Sequence, residues 1–453
     1  MTPSSALKLR FAPSPTGYLH LGNTRTALIN WLYARAHQAE FILRLDDTDV
    51  QRSEQKYTDQ LQKDLQWLGL TYDHFLKQSD RFDLYKEAAE CLKAQGRLYP
   101  CYETPEELSL QRKTQLAAGK PPLYNRASLS LTPSQVEAFA QEGRHPHWRF
   151  KMEAGEIHWH DLIRGPVTFQ GERLSDPVLI REDGSPVYTF ATSVDDLEMG
   201  ITHILRGEDH VTNTAVQIQI MEALSGHLNA IQFGHLALIS GAQGEGLSKR
   251  EGSLSLMELQ AQGIEPMAIN SLLAKLGTSD PILAYAHLEG LLDAFSITSF
   301  GRATPKLDPE DLWLMNTKIL RLFSFEDIRP RLEALGLSEA TPAFWAIAQN
   351  NIEKLEDVRE WGEICYGKTC FPGENPAFLE VAAQSLPPAP WDETTFKAWA
   401  DQIKTLTGLK GKELFIPLRR ALTGQEHGPE LKDLILVMGH AQVLMRLQTR
   451  RNL

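Results

Sequence analysis

The chain has 453 residues, 42% hydrophobic and 23% charged, with a net charge of −12. That length predicts about two to four domains; no apolar run approaches the roughly 20 residues of a membrane helix, and the polar start Met1–Ser5 is unlike a secretory leader, so the expected location is the cytoplasm. The acidic balance argues mildly against a general polyanion binder, yet Lys404, Lys410, Lys412, Arg419, Arg420, Arg446, Arg450 and Arg451 crowd the last 50 residues and allow one local basic face.

Residues 8–12 read as a strand that feeds the turn Ala12-Pro-Ser-Pro-Thr-Gly17, and positions 22–36 read as a helix burying Leu28, Trp31, Leu32 and Tyr33. A strand–turn–helix of this kind aims backbone N–H groups and a helix N-terminus at its ligand, which favours phosphate. His20 and Asn23 add donors there. More than 200 residues later, Gly246-Leu-Ser-Lys-Arg-Glu-Gly252 offers Lys249 and Arg250 on a Gly-flanked loop. Taken alone, each segment reads as a common turn or a solvated face. In this order they read as two halves of one ATP site that builds an adenylate, with the loop closing on the leaving pyrophosphate.

Phe41–Leu45 is a compact apolar strand ended by Asp46-Asp-Thr-Asp49, and Tyr57, Leu61, Leu65 and Leu68 mark a helix that stops at Gly69. The strand–helix alternation predicts a parallel α/β sheet with its ligand crevice at the strands' carboxyl ends. Thr104-Pro-Glu-Glu107 and Thr132-Pro-Ser-Gln135 are capping boxes within a turn-rich stretch. That stretch, about 90–185, reads as an insertion of mixed helices and short strands. Sheet-like texture is expected from Pro177 through Tyr188 to Val194, then at His203–Arg206 and Phe233–Ile239. Beyond about 255 the chain reads as helical, one helix starting at Asp308-Pro-Glu-Asp311 with an apolar stripe of Leu312, Met315, Ile319, Leu322 and Phe323. Cys91, Cys101, Cys365 and Cys370 form no disulfide framework and read as reduced thiols.

These segments resemble a known family. Arg10–Gly17 with His20–Asn23, Arg44–Asp49, Tyr188 followed by Val194-Asp-Asp196, His203–His210, Leu247–Arg250 and the closing Ala421–Gly424 with Gly428–Leu431 are similar to bacterial glutamyl-tRNA synthetases across nearly the whole chain. The resemblance implies a class I Rossmann-type catalytic domain with an α+β insertion, followed by all-α connecting and anticodon-binding domains. The implied boundaries are 1–90 and 186–255 for the catalytic halves, 91–185 for the acceptor-end insertion, 256–315 for the connecting helices and 316–453 for the anticodon-binding region. It implies two steps: glutamate's α-carboxylate attacks ATP, accompanied by Mg2+, and the 2′-hydroxyl of the terminal tRNA adenosine then takes the acyl group. The expected partners are tRNA-Glu, tRNA-Gln or both, and monomer is the default state.

The resemblance also assigns residues. Arg10, Ala12, Ser14, Asp46, Tyr188, Thr192 and Arg206 match amino-acid positions, with Arg206 on the side-chain carboxylate and Asp46 on the ammonium. Gly17, His20, Gly22, Asn23, Asp209, His210, Ile239, Ser248 and Lys249 match nucleotide positions, and His20, Lys249 and Arg250 carry the catalysis. An Arg fork suits a dicarboxylate substrate, because it binds a carboxylate bidentately. The plainer alternative for Arg206 is a surface pair with Glu208 or Asp209.

Four departures matter. Asp46 stands where the family usually has Glu, Thr192 where an Asn is frequent, and Gly246 where the mobile loop usually has its first Lys. Cys101-Tyr-Glu103 and Tyr124–Ala127 keep only one ligand of the zinc knuckle of many relatives, so no zinc is expected. The alternatives are a glutaminyl-tRNA synthetase and a tRNA-independent carboxylate adenylyltransferase. Ala12–Gly17, Arg206 and the long helical rear favour glutamate and tRNA. Trp361, Arg419 and Arg420 are candidates for anticodon contact.

Overall fold

The computed structural model describes residues 7–49, 51–228, 230–241, 244, 255–369, 371 and 375–448. Two compact units divide the chain: Met1–Gln260 with Asn270–Leu283 and His287–Asp308, and Ala261–Ile269 with Ala284–Ala286 and Pro309–Leu453.

The first unit opens with β1 (Lys8–Phe11), α1 (Leu21–Ala36), β2 (Glu40–Leu45), α2 (Gln55–Trp67), β3 (His74–Lys77) and α3 (Phe82–Ala94). Then follow β4 (Leu98–Cys101), α4 (Pro105–Ala117), α5 (Pro133–Gln141), β5 (His147–Phe150), β6 (Glu156–Asp161), β7 (Gly165–Gln170) and β8 (Val178–Ile180). It continues with α6 (Tyr188–Glu198), β9 (His203–Gly207), α7 (Val211–Ser225) and β10 (Gln232–Leu236). The main sheet runs β3-β2-β1-β9-β10-β6-β7, parallel throughout except for the antiparallel edge pair β6–β7. β2 buries Phe41 to Leu45 without alternation, as expected of a strand covered on both faces. The β1–α1–β2 connection leads one way along the sheet and β9–α7–β10 the other. The strand order therefore reverses between β1 and β9, and such a switch opens a crevice at the carboxyl ends.

Two sequence expectations differ from what the fold adopts. Tyr188–Glu198 is a helix, not sheet: Phe190, Ala191 and Val194 are buried at helical spacing among the groups of one core, and α6 packs on α7 and α3. Tertiary burial there overrides the strand preference of its β-branched and aromatic residues. Within the expected insertion 91–185, only β4, β5 and β8 form a separate antiparallel sheet, whereas β6 and β7 join the main one. Their alternation buries Ile157, Trp159 and Asp161, and Asp161 pairs in register with Phe233.

Both capping boxes form as the sequence predicts, with Thr104 and Thr132 accepting from Glu107 and Gln135 backbone N–H groups. One buried charge sits in α2. Asp64 is 1% exposed, its Oδ1 accepts from Gln60, and its Oδ2 has no partner, so burial pushes its carboxyl up to about 6. A raised folded pKa means the ionised form costs stability, a cost complete above pH 6 and absent below the ordinary 3.8. Asp64→Asn is expected to stabilise the protein by about 2 kcal/mol at pH 8. The gain should shrink as the pH falls from 6 to 4. Thermal melting at pH 8 and pH 4.5 checks this; an equal shift at both pH values rules the explanation out.

The second unit is helical, from Pro309–Leu320 to Leu431–Gln448, around Phe344, Trp345, Trp361, Trp399, Leu434 and Ile435. Leu312, Met315 and Ile319 are buried as expected, but Leu322 lies past the helix end and is 48% exposed. Trp361 is 4% exposed and donates to the Asn351 carbonyl. It is a core residue, which removes it from the anticodon candidates. Arg420 pairs with Glu426, and Arg419 is half-buried. Cys370, Arg450 and Arg451 lie outside the described residues.

Candidate active site

A cavity of about 600 Å3 opens at the switch point between β1 and β9. Its wall takes Arg10–Pro13 from the end of β1, His20, Gly22 and Asn23 from the start of α1, Tyr188 from α6, Leu205–His210 from the end of β9, and Leu236–Ser240 after β10. The sheet order brings together residues almost 230 positions apart.

At one end, His20 is the N-cap of α1. Its Nδ1 accepts from the backbone N–H of Gly22 (3.1 Å) and Asn23 (3.4 Å). The ring proton is thereby assigned to Nε2, and burial lowers the imidazole pKa, so His20 is a neutral N–H donor at neutral pH. Gly22 gives the ring room: a Cβ there would lie 3.0 Å from the His20 side chain, closer than ordinary contact. The cap and the helix dipole make this end suited to anionic oxygen.

The opposite wall is built on Arg206. The residue is 5% exposed, and its Nη2 donates to Thr214 and Gln217, both at 2.6 Å, while Nε lies 3.4 Å from His235 Nε2. Its Nη1 is buried without a partner. Among the described residues no carboxylate lies within ion-pair distance of it. Glu208 instead pairs with Arg164 (2.5 Å), so the surface-pair reading of Arg206 fails. Burial lowers the Arg206 pKa, and the same burial together with Arg206 holds His210 down to about 4, hence neutral. Tyr188 lies beside His210, ring centroids 5.4 Å apart.

Beneath the cavity floor lies a buried ionic lattice. Arg10 forks onto Asp196 (3.0 and 3.3 Å), and Arg44 bonds Asp196 (2.7 Å) and Asp46 (2.8 Å). Asp195 holds Arg81 (2.7 Å), Gln78 and Tyr85. This places Asp46 away from its expected ammonium role. It is 5% exposed, absent from the cavity wall, and its second oxygen accepts from Thr192 (3.2 Å). The short Asp side chain closes on Arg44 two residues away. Thr192, fully buried on that carboxylate, is likewise off the wall.

Of the other expected residues, Arg10, Ala12, His20, Gly22, Asn23, Tyr188, Arg206, Asp209, His210 and Ile239 line the cavity. Ser14 and Gly17 are exposed on the turn beside it and off the wall. Ser248, Lys249 and Arg250 lie outside the described residues, as does Gly246. Sequence reasoning missed Arg25, Thr214, Gln217, His235 and Asp161. Arg25 is 3% exposed and bonds the Ala237 and Leu276 carbonyls (2.7 and 2.8 Å), tying α1 to the segment that carries Ile239. The one available signal was Thr214 and Gln217, two polar residues three apart and buried on a helix that also buries Ala215, Val216, Ile218 and Ile220. The zinc reading also undercounts: the fold brings Glu103 and His147 to Cys101, ligand atoms within 4.8 Å of one another. Glu103 accepts from Tyr124 (2.6 Å) and Ser128 (2.9 Å), and Arg149 donates to His147.

A switch-point cavity with a helix N-terminus at one end and a buried cation at the other belongs to an α/β protein suited to anionic groups at both ends. Residues 6–314 match the family "tRNA synthetases class I (E and Q), catalytic domain", and 328–450 match "Anticodon binding domain". The chain belongs to the class I tRNA synthetases of the E and Q group. It is 51% identical to a glutamate–tRNA ligase of Azospirillum brasilense, covering 96% of this chain and 98% of that one. A glutamate–tRNA ligase 1 of Maricaulis maris is 48% identical, covering 97% and 98%. A crystal structure of a glutamate tRNA ligase from Elizabethkingia meningosepticum in complex with its amino acid superposes with a TM-score of 0.82 at 25% identity, covering 98% and 99% of the two chains.

Proposed function

We propose that this chain ligates L-glutamate to the 3′ end of tRNA through a glutamyl adenylate, using ATP accompanied by Mg2+. The observation that carries the reading is Arg206: a buried guanidinium with neutral partners and a free N–H on a cavity wall. An uncompensated buried charge is strongly unfavourable, and a substrate carboxylate supplies the missing counter-charge. Arg10, Tyr188 and Arg206 take the amino acid; His20, Gly22 and Asn23 take the phosphates; Asp209, His210 and Ile239 lie on the nucleoside side. In this reading Ser248 is assigned to ATP, and Lys249 and Arg250 to the leaving pyrophosphate.

The α-carboxylate, already ionised, attacks the α-phosphorus, and the bond to pyrophosphate breaks. The terminal 2′-hydroxyl then attacks the acyl carbon and AMP leaves. No general base is needed for the first step, so the protein's contribution is positioning and preorganised donors. Zinc has no part in this reading, because Glu103 is already committed to Tyr124 and Ser128, and Arg149 lies against His147. The reading places the enzyme in the cytoplasm as a monomer; among the described residues no helix is long and apolar enough to cross a membrane.

Separately transcribed tRNA-Glu and tRNA-Gln, each offered labelled glutamate or glutamine, test the proposal. Glutamate is expected on at least one tRNA, also after zinc chelation with Mg2+ restored. Pyrophosphate exchange should require added tRNA. Esterification of glutamine alone overturns the assignment, and exchange with a non-amino-acid carboxylate in the absence of tRNA supports the adenylyltransferase.

A further inference from the structure

We propose that Gln217, Thr214 and the Asp161–His235 pair are positioning residues that keep the charge of Arg206 unneutralised, and that this neutral cradle makes the pocket select an acid over its amide. The inference rests on the reading of Arg206 as the side-chain clamp.

A guanidinium only donates, so Gln217 must present its carbonyl oxygen at 2.6 Å, which fixes the orientation of its amide. His235 is 0% exposed, and its Nδ1 lies 2.5 Å from Asp161 Oδ2. Asp161 also accepts from the backbone N–H of Ile163, Arg164 and His235; against the cost of burial, the His235 ring and the Arg164 and Ile163 N–H groups hold it as a carboxylate at about 2. It therefore accepts a hydrogen bond from His235 Nδ1–H, and the ring's Nε2 is left as an acceptor. That nitrogen faces the Thr214 hydroxyl (2.9 Å) and Arg206 Nε (3.4 Å). The Thr214 hydroxyl accepts from Arg206, and its one proton has the His235 imidazole (2.9 Å) and the His210 carbonyl (3.2 Å) as acceptors. These three acceptors around the guanidinium are thus neutral, and Asp161 behind them acts through an imidazole.

The arrangement differs in kind from the floor of the same cavity. Arg10 and Arg44 are met directly by Asp196 and Asp46 and arrive neutralised. Arg206 is oriented as firmly but carries its full charge to the wall, with Nη1 unpartnered. A carboxylate ligand gains that charge in a dry site, whereas a carboxamide gains only a hydrogen bond. A carboxylate in place of the Gln217 amide would make Arg206 resemble Arg10 and remove the preference.

The test is Gln217→Glu, which keeps size and places a charge on Nη2. Its glutamate KM is expected to rise on the order of 10–100-fold, the range of one charge-assisted hydrogen bond. The ratio of kcat/KM for glutamate over glutamine should fall by at least as much, with the ATP KM unmoved. Gln217→Met, which removes the acceptor without adding charge, should keep most of that ratio. Should Gln217→Glu fail to accumulate as folded protein, Thr214→Asp makes the same test at the second acceptor. An unchanged ratio in the folded acidic variant, or an equal loss in Gln217→Met, overturns the inference. Arg206→Gln separates the two readings: an unmoved glutamate KM there removes the clamp itself. A raised KM there with an unchanged ratio in Gln217→Glu removes only the cradle.

Discussion

Replacing Arg206 by alanine is expected to raise the glutamate KM about 10–200-fold, from loss of a charge-assisted pair worth about 1.5–3 kcal/mol. The ATP KM should change little, because His20, Gly22 and Asn23 stand on a different element. The guanidinium is held by Thr214, Gln217 and His235, so its removal also leaves three acceptors with one donor fewer. A modest drop in melting temperature should accompany the kinetic effect. Steady-state charging with glutamate and ATP varied independently reads both constants, and a glutamate KM within twofold of the parent's excludes Arg206 as the clamp.

The second large effect is expected at His20, where two jobs separate. As N-cap, its Nδ1 takes the Gly22 and Asn23 N–H groups; as donor, its Nε2–H faces the cavity that the triphosphate is proposed to fill. Asparagine caps as well as any residue but is too short to extend a second donor. His20→Asn is therefore expected to lower the rate of adenylate formation about 100–1000-fold, the usual cost of one preorganised donor. Its stability should stay within about 1 kcal/mol of the parent's. His20→Ala should lose the same rate and, in addition, about 1 kcal/mol of helix capping. Single-turnover activation with tRNA present, beside melting curves, distinguishes the two roles. Activation within threefold of the parent in His20→Asn confines the residue to capping.

Much of the site was legible because its carriers are local. The turn after β1, the helix opening near Gly22, the capping boxes at Thr104 and Thr132 and the buried run of β2 depend on neighbours within about four residues. Residue type and spacing fix such features before any folding. Arg206 was legible for a related reason: a cation after an apolar strand demands a partner. What that partner would be was not. The neighbouring Glu208 was the obvious choice, and it went to Arg164. Asp46 was expected on the substrate ammonium, and its carboxylate instead bonds Arg44 and Thr192, partners that no local pattern names. The helix at Tyr188–Glu198 escaped because aromatic and β-branched residues prefer strands until a core recruits them at helical spacing.

The sequence by itself determined the chemistry on offer: a phosphate-seeking turn, a cation for an acid, a helical rear and a family likeness spanning the chain. Tertiary structure alone decided which of these groups share a cavity and which neutralise one another. Asp161, His235, Thr214 and Gln217 are separated from one another and from Arg206 by 3 to 74 positions, across three strands and a helix. Only the parallel order β9-β10-β6 sets them around one guanidinium. Charge compensation in a dry interior is a matter of a few ångströms, and those distances are set by packing between elements that the linear pattern leaves free.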